Sequence, residues 1–203
     1  MTVNYGGVGS GAGRSNLAAG TTNFGVLYFP ILIGPITMAY NLSGVNGLEL
    51  TPEVIAGIFQ AKITNWDNSA IAAINPGVHL PSTPITLAVR SDSSGTTQNF
   101  TLFLEKGAGS AWTLGSASTI KWPSTARASA GNGGVAQVIK STSGAIGYVD
   151  YADAKASGLQ FASVKNADGN FVAPSIQGAS ASAAGGHGRG CLPDHVPDVG
   201  PGI

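Results

Sequence analysis

Charge is scarce in this chain. Lysine plus arginine and aspartate plus glutamate number 10 each among 203 residues, so charged side chains make up 10% of the sequence and the formal net charge is zero. Globular domains usually carry about a quarter of charged residues. Binding to a nucleic acid or an anionic membrane surface requires a basic cluster, and the sequence contains none. We therefore expect no nucleic acid partner and no direct membrane contact.

Cysteine and histidine are nearly absent as well. The one cysteine, Cys191, excludes an internal disulfide and a cysteine-based metal site. The three histidines, His79, His187 and His195, have no metal-ligand spacing near the hydroxyl-rich loop that follows Arg90. We therefore predict that the chain binds no metal and no cofactor.

Long apolar runs are also missing. The apolar stretch at residues 26–40 is interrupted by Pro30, Gly34 and Pro35, so it is too short and too broken to span a membrane. We recognise no secretion signal at Met1 and expect the chain to begin within a strand. What the chain does have is 43% apolar residues and 30 glycines, which predict a real core joined by many tight loops.

Strand-like and helix-like patterns alternate along the chain, which predicts an α/β fold. Residues 51–63 have the pattern of a helix with Thr51 as its N-cap. We further predict a short helix capped by Asp67, a buried strand at residues 85–89 and a helix at residues 96–106 with one apolar face.

The second half of the chain continues this alternation. We interpret the glycines of residues 131–134 as a turn before a helix, rather than as the wall of a cleft. Residues 145–155 are typical of a strand followed by a helix start, and we expect Tyr148 and Tyr151 to pack from the strand. Two short strands are predicted around the Asp168–Gly169 turn.

A hydroxyl-rich loop follows the strand at residues 85–89. In the sequence RSDSSGTT, Arg90 can bond two oxygens of an oxyanion, and the run from Ser94 to Thr96 offers hydroxyls and free N–H groups at a helix start. Asp92 could orient the guanidinium. The alternative is that Ser94 only N-caps the helix and Arg90 forms a surface ion pair, and the local pattern does not decide between the two.

A second candidate loop lies near the N-terminus. Ser10 stands in GSGAG, ahead of a short helical pattern that Gly20 is expected to end. The stretch lacks the lysine of a phosphate-binding P-loop, and a plain glycine turn is the alternative.

Seven stretches together resemble a known family. GSGAG, YNLSGV, ITNWDNSAIAAINPG, LPSTPITLAVRSDSSGTT, TIKWP, GNGGVAQVI and GAIGYVDYA occur in family order between residues 3 and 176. They are similar to the phosphate-binding protein of the bacterial phosphate ABC transporter. The resemblance implies a type II periplasmic-binding-protein fold, in which two α/β lobes joined by crossing strands close on a dehydrated phosphate ion.

The resemblance also implies a set of phosphate-binding residues. One serine lies on the first lobe, a cluster lies on the second, and an aspartate pairs with the arginine of that cluster. In this sequence they match Ser10, then Arg90, Ser94, Gly95 and Thr96, and finally Asp92.

The implied role is transport without chemistry on the ligand. A family member binds inorganic phosphate and delivers it to an ABC permease. The implied location is the periplasm or the outer face of the cytoplasmic membrane. Contact with the membrane would then run through the transporter, or through a lipid anchor that this sequence does not contain.

The chain departs from the family in three places. The opening strand of the family is absent before Met1, and no counterpart of the family's proton-accepting aspartate follows Gly25. The sequence after Gln177 resembles nothing in the family and looks like out-of-frame coding. We therefore expect an almost complete second lobe and a remnant of the first: residues 1–25 as the remnant, 26–177 as the second α/β lobe with a crossing strand, and 178–203 as an irregular tail.

Three functions of different classes remain open. The first is a phosphate solute-binding protein that is not an enzyme. The second is a truncated relative with weak or no phosphate binding. The third is a secreted phosphatase-like member, which would need a nucleophile with a base, or metals, and the sequence shows no such constellation.

Overall fold

The computed structural model describes residues 34–178 together with Ser15, Asn16, Ala18 and Ala19. Ser15, Asn16 and Ala18 are helical, and the Ala19 amide donates to the Ser15 carbonyl at 2.9 Å. This turn agrees with the short helix predicted before Gly20.

Other predictions fall outside the described residues. They concern the strand near Met1, Ser10, most of the expected first-lobe remnant, residues 26–33, and the tail with His187, Cys191 and His195.

Short strands and helices alternate through the described part of the chain. The strands are β1 Ile36–Asn41, β2 Glu49–Leu50, β3 Thr86–Arg90, β4 Arg127–Ser129, β5 Ala145–Asp150, β6 Gln160–Phe161, β7 Ser163–Lys165 and β8 Phe171–Val172. The helices are α1 Pro52–Phe59, α2 Ser69–Ile74, α3 Gly95–Gly107, α4 Gly131–Ser141 and α5 Tyr151–Ala156, with a 3₁₀ turn at Gly109–Ala111. The predicted α/β alternation is confirmed.

The strands form two sheets. The larger has the order β4-β3-β5-β1-β6, in which β3 runs parallel to β4 and β5, while β1 is antiparallel to β5 and β6. The smaller has the order β2-β7-β8, and its antiparallel β7–β8 hairpin turns at Gly169, whose φ of 86° suits glycine. The predicted strand pair around Asp168–Gly169 is therefore confirmed.

Strand β5 lies at the centre of the larger sheet and faces a core on each side. Its successive side chains alternate between the two faces, as the period of a strand requires. Ile146 and Tyr148 join the larger core, which α1 and α3 cover, whereas Ala145 and Val149 join the smaller core beneath α4. Because both faces are covered, residues 145–149 are all buried.

Helix starts follow the capping rules, with one correction. The Thr51 side chain accepts from the Val54 amide at 3.4 Å and so caps α1 as predicted. Asp67 was expected to cap the next helix, but α2 begins one residue later than the pattern indicates. The capping side chain is therefore that of Asn68, which accepts from the Ala70 amide at 2.9 Å.

Two further expectations are wrong. Residues 131–134 are not a separate turn, because they form the first turn of α4. Burial of Val135, Ala136 and Ile139 against the sheet compensates the low helix propensity of the glycines. Tyr151 begins α5 rather than lying on the strand.

In the described part of the chain, no helix is both long enough and apolar enough to cross a membrane.

Close backbone packing at Gly147 generates a testable prediction. A Cβ built there would lie 2.6 Å from the Ala88 carbonyl oxygen and 3.0 Å from Ile139 Cδ1. We expect Gly147→Ala to lower the free energy of unfolding by about 1–3 kcal/mol, as overpacking of a core does.

Gly133→Ala is the matched control for Gly147→Ala. This glycine lies in the first turn of α4 and a Cβ there meets nothing within 4 Å. We expect it to be neutral or slightly stabilising, since alanine favours a helix more than glycine does. Urea unfolding measures both variants, and equal effects would contradict the packing argument.

Candidate anion-binding site

The carboxyl ends of three parallel strands lie together at one end of the larger sheet. Strands β4, β3 and β5 are adjacent and parallel, so their carboxyl ends meet there. Each strand is followed closely by a helix: β3 by α3, β4 by α4 and β5 by α5. The crevice beyond the carboxyl ends of parallel strands is the usual binding position in open α/β folds. The last residues of these strands are Arg90, Ser129 and Asp150.

Arg90 is buried and fully oriented. Its side chain is 6% exposed, and its Nε and Nη2 donate to the two carboxylate oxygens of Asp92 at 2.7 Å and 2.5 Å. Its Nη1 donates to Asn132 Oδ1 at 3.2 Å. The alternative of a surface ion pair is therefore wrong, whereas the expected pairing of Arg90 with Asp92 is confirmed.

The pair shifts the titration of both members. The hydrogen bond from Arg90 lowers the pKa of Asp92 to about 2, and the Gly131 amide, which donates to Asp92 Oδ1 at 3.2 Å, acts in the same direction. The Asp92 carboxylate in turn raises the pKa of Arg90. Both groups are therefore charged at neutral pH, and the pair as a whole is neutral.

Ser94 performs the capping role that the alternative assigned to it. It is 1% exposed, and its Oγ accepts from the Thr96 amide at 3.1 Å and from the Thr97 amide at 3.4 Å. These bonds lie at and beyond the long end of the usual N–H···O range, so the cap is weak. Gly95 is the first residue of α3.

Two residues of this cluster escaped the sequence analysis. Asn132 joins Arg90 to Asp150, since its Oδ1 accepts from Arg90 and its Nδ2 donates to Asp150 Oδ2. The Thr96 side chain lies close enough to the Asp150 carboxyl group to lower its pKa. The available signal was positional: Asp150 ends a strand parallel to β3, and Asn132 lies in the first turn after a strand.

Burial is the main influence on Asp150. It raises the pKa of that carboxyl group, and the neighbouring carboxylate of Asp153 adds to the rise. Arg90, Thr96 and Asn132 act in the opposite direction.

Tyr148 holds both ends of the loop between β3 and α3. Its hydroxyl accepts from the Arg90 amide at 3.1 Å and shares a 2.8 Å hydrogen bond with Thr97 Oγ1. Its ring stacks on Phe100 with centroids 4.5 Å apart. The expectation that Tyr148 packs is confirmed, and the structure adds that it connects the core to the site.

Two features of the described residues bear on other kinds of site. No group of three or more His, Cys, Asp or Glu side chains there could hold a metal ion. A mostly apolar cavity of about 570 Å³ has none of the Arg90 cluster among its lining residues, which include Ile36, Pro52, Phe103 and Lys165.

The fold and the edge cluster define an α/β domain with a polar site at the carboxyl ends of parallel strands. Comparison with known proteins gives the family: residues 1–187 match the PBP superfamily domain, and the chain belongs to that superfamily. The expected α/β fold of the periplasmic-binding-protein type is confirmed.

Curated relatives include two proteins named as phosphate-binding. The chain is 39% identical over 201 residues to phosphate-binding protein PstS of Pasteurella multocida, covering 90% of this chain and 58% of the relative. It is 32% identical over 207 residues to phosphate-binding protein PstS 3 of Mycobacterium leprae, covering 91% and 56%. The chain thus spans little more than half the length of these relatives.

Solved structures with similar folds include phosphate-binding proteins. A high-affinity periplasmic phosphate-binding protein, PfluDING, solved with bound phosphate, superposes with a TM-score of 0.66 at 25% identity and covers 87% of this chain and 59% of that one. The phosphate-binding protein of Stenotrophomonas maltophilia gives a TM-score of 0.56 at 22% identity, with 84% and 51% covered. This second likeness shows the fold alone.

Acid should weaken the fold through Asp92. Its pKa in the folded chain is about 2, below the ordinary value of 3.8. Because the folded value is the lower one, the stabilisation is present above pH 3.8 and is lost as the pH falls towards 2, and it amounts to about 2 kcal/mol.

Urea unfolding of the wild type and of Asp92→Asn between pH 5 and pH 2 measures this term. We expect the variant to be less stable at pH 5, and the gap to narrow as the wild-type carboxylate takes up its proton. Two stability curves that stay parallel across this range would contradict the assignment.

Proposed function

We propose that this chain binds inorganic phosphate as the solute-binding component of an ABC uptake system. The observation that carries the proposal is the buried guanidinium of Arg90, which lies at the carboxyl ends of three parallel strands beside the start of α3. The names of the relatives and the phosphate bound in PfluDING support the choice of ligand.

Arg90 retains donors for a ligand. A guanidinium has five N–H groups, and within the described part of the chain three are engaged, two by Asp92 and one by Asn132. The remaining N–H groups of Nη1 and Nη2 suit two oxygens of one tetrahedral anion. Asp92 fixes the plane of the guanidinium, so little side-chain entropy is lost when the anion binds.

The start of α3 supplies the other donors. This helix has 13 residues, and its N-terminal N–H groups and macrodipole favour a negative charge. Within the described residues, the amides of Thr96 and Thr97 are held by the long bonds to Ser94 Oγ alone, so an anion can replace this cap. We therefore assign Arg90, Ser94, Gly95 and Thr96 as phosphate-binding residues and Asp92 as the positioning residue of Arg90.

The remaining parts of the proposal concern the whole protein. We assign residues 26–177 to the second lobe, residues 1–25 with Ser10 to a remnant of the first, and residues 178–203 to an irregular tail. The partner would be the permease of a phosphate ABC transporter, at the outer face of the cytoplasmic membrane or in the periplasm. The relatives carry the names of binding proteins, so we propose no catalytic step.

The charges of the cluster determine the affinity that we expect for phosphate. Among the described residues, Arg90 is the one cation in the cluster, and its charge is already balanced by Asp92. We expect a dissociation constant for phosphate above about 1 µM, which corresponds to less than about 8 kcal/mol of binding free energy.

Calorimetric titration of the full chain with phosphate tests the proposal. Arg90→Gln removes the guanidinium and should weaken binding at least about tenfold, the usual effect of losing a charge-assisted pair of bonds. Arg127→Gln is the matched control, because Arg127 is exposed on β4 and its Nη1 donates to the Thr142 hydroxyl at 3.2 Å, away from the Arg90 cluster.

The outcomes separate the open functions. Binding that Arg90→Gln weakens and Arg127→Gln leaves unchanged supports the proposal. An equal loss of phosphate affinity in both variants would mean that net charge, and not the position of Arg90, causes the effect. Absence of binding at millimolar phosphate would favour the truncated relative without a ligand.

A further inference from the structure

The Asp150 side chain does not cap the helix that follows it, although Asp150 is at the capping position. It is the N-cap residue of α5, where an aspartate normally accepts from the first amides of the helix. No such side-chain bond is made there. Its carboxyl group instead accepts from Asn132 at the start of α4, and the Thr96 side chain at the start of α3 is near enough to lower its pKa.

The groups that Asp150 engages are those that a bound oxyanion would use. Thr96 has a single hydroxyl proton, so a hydroxyl that donates to Asp150 does not donate to a ligand. Asn132 bridges from Asp150 to the Arg90 guanidinium through its other side-chain atom. The Asp150 carboxylate therefore lies among these donors as an anion that belongs to the protein itself.

The charges around this position reinforce the competition. The charged groups that face Asp150 are Arg90 from β3 and Asp153 from its own helix, while α3 and α4 present the neutral Thr96 and Asn132. Arg90 is already neutralised by Asp92. With Asp150 ionised, the cluster of Arg90, Asp92 and Asp150 carries one net negative charge, which repels an incoming anion.

We propose that Asp150 is a specificity-determining residue that competes with a tetrahedral oxyanion for the Thr96 hydroxyl and the Arg90–Asn132 pair. An oxyanion then binds best when this carboxyl group is neutral. The inference rests on the proposed function of the same site. It adds that the site accepts its ligand best when the Asp150 carboxyl group is uncharged.

The protonation of Asp150 predicts how the affinity for an anion changes with pH. Burial raises the pKa of this carboxyl group, so its neutral form becomes populated at a higher pH than that of an ordinary aspartate. The neutral form accepts less strongly and removes the net negative charge. Anion affinity should therefore rise as the pH falls through the raised pKa of Asp150.

The test uses Asp150→Asn and the matched control Asp153→Asn. Both substitutions remove one negative charge at the start of α5, but of the two carboxylates Asp150 is the one that accepts from Asn132. The probe is sulfate, which keeps its two charges from pH 5 to pH 8, so that any pH dependence belongs to the protein. Calorimetry on the full chain measures sulfate and, at each pH, inorganic phosphate.

We expect Asp150→Asn to bind sulfate about tenfold more tightly than the wild type at pH 8 and to lose most of its pH dependence. Asp153→Asn should change the affinity much less and keep the pH dependence. The wild type provides an independent measurement, because its sulfate affinity should rise on acidification without any substitution that could disturb folding.

Each other outcome is decisive. If the wild type binds phosphate but Asp150→Asn binds both anions no more tightly, or more weakly, Asp150 is not a competitor and the proposed function stands. If only Asp150→Asn binds, the inference stands and the wild-type chain is not a phosphate binder at neutral pH. If neither binds either anion at any pH, both the inference and the proposed function are overturned.

Discussion

A buried guanidinium requires a carboxylate partner, and this requirement organises the end of the larger sheet. Arg90 is 6% exposed, and an isolated charge at such depth costs several kcal/mol. Asp92 removes that cost with two bonds, and its carboxylate also accepts from the Gly131 amide, which ties the start of α4 to the loop before α3. The Tyr148 hydroxyl holds the Arg90 amide from below, so the aromatic core and the polar cluster form one continuous structure.

This pairing determines what the site offers a ligand. Because Asp92 cancels the charge of Arg90, attraction of an anion depends on the N-terminus of α3, on hydroxyl donors and on the state of Asp150. Under the proposal for Asp150, selectivity would arise from the balance between two acceptors, the bound anion and the Asp150 carboxylate, that compete for the same few protons.

Local rules in the sequence were sufficient for much of the fold and part of the site. Thr51 was identified as a cap, and the Arg90–Asp92 pair as a positioned guanidinium, because both depend on residues close together in the chain. Asn132 and Asp150 were missed because their role depends on which strands are neighbours. Only the parallel order β4-β3-β5 brings residues 90, 132 and 150 to one edge. A turn was wrongly predicted at residues 131–134 for the same reason, because helix formation there depends on burial against a strand that is distant in the sequence.

The central claim is that the groups around Arg90 receive one tetrahedral oxyanion. Nuclear magnetic resonance of the isotopically labelled full chain during addition of phosphate measures this most directly. The account predicts that Nη1 and Nη2 of Arg90, the Thr96 amide and the Asn132 side-chain amide show the largest shifts and follow one dissociation constant. Shifts that leave these groups unchanged, or that are largest around Lys165 at the apolar cavity, would contradict it.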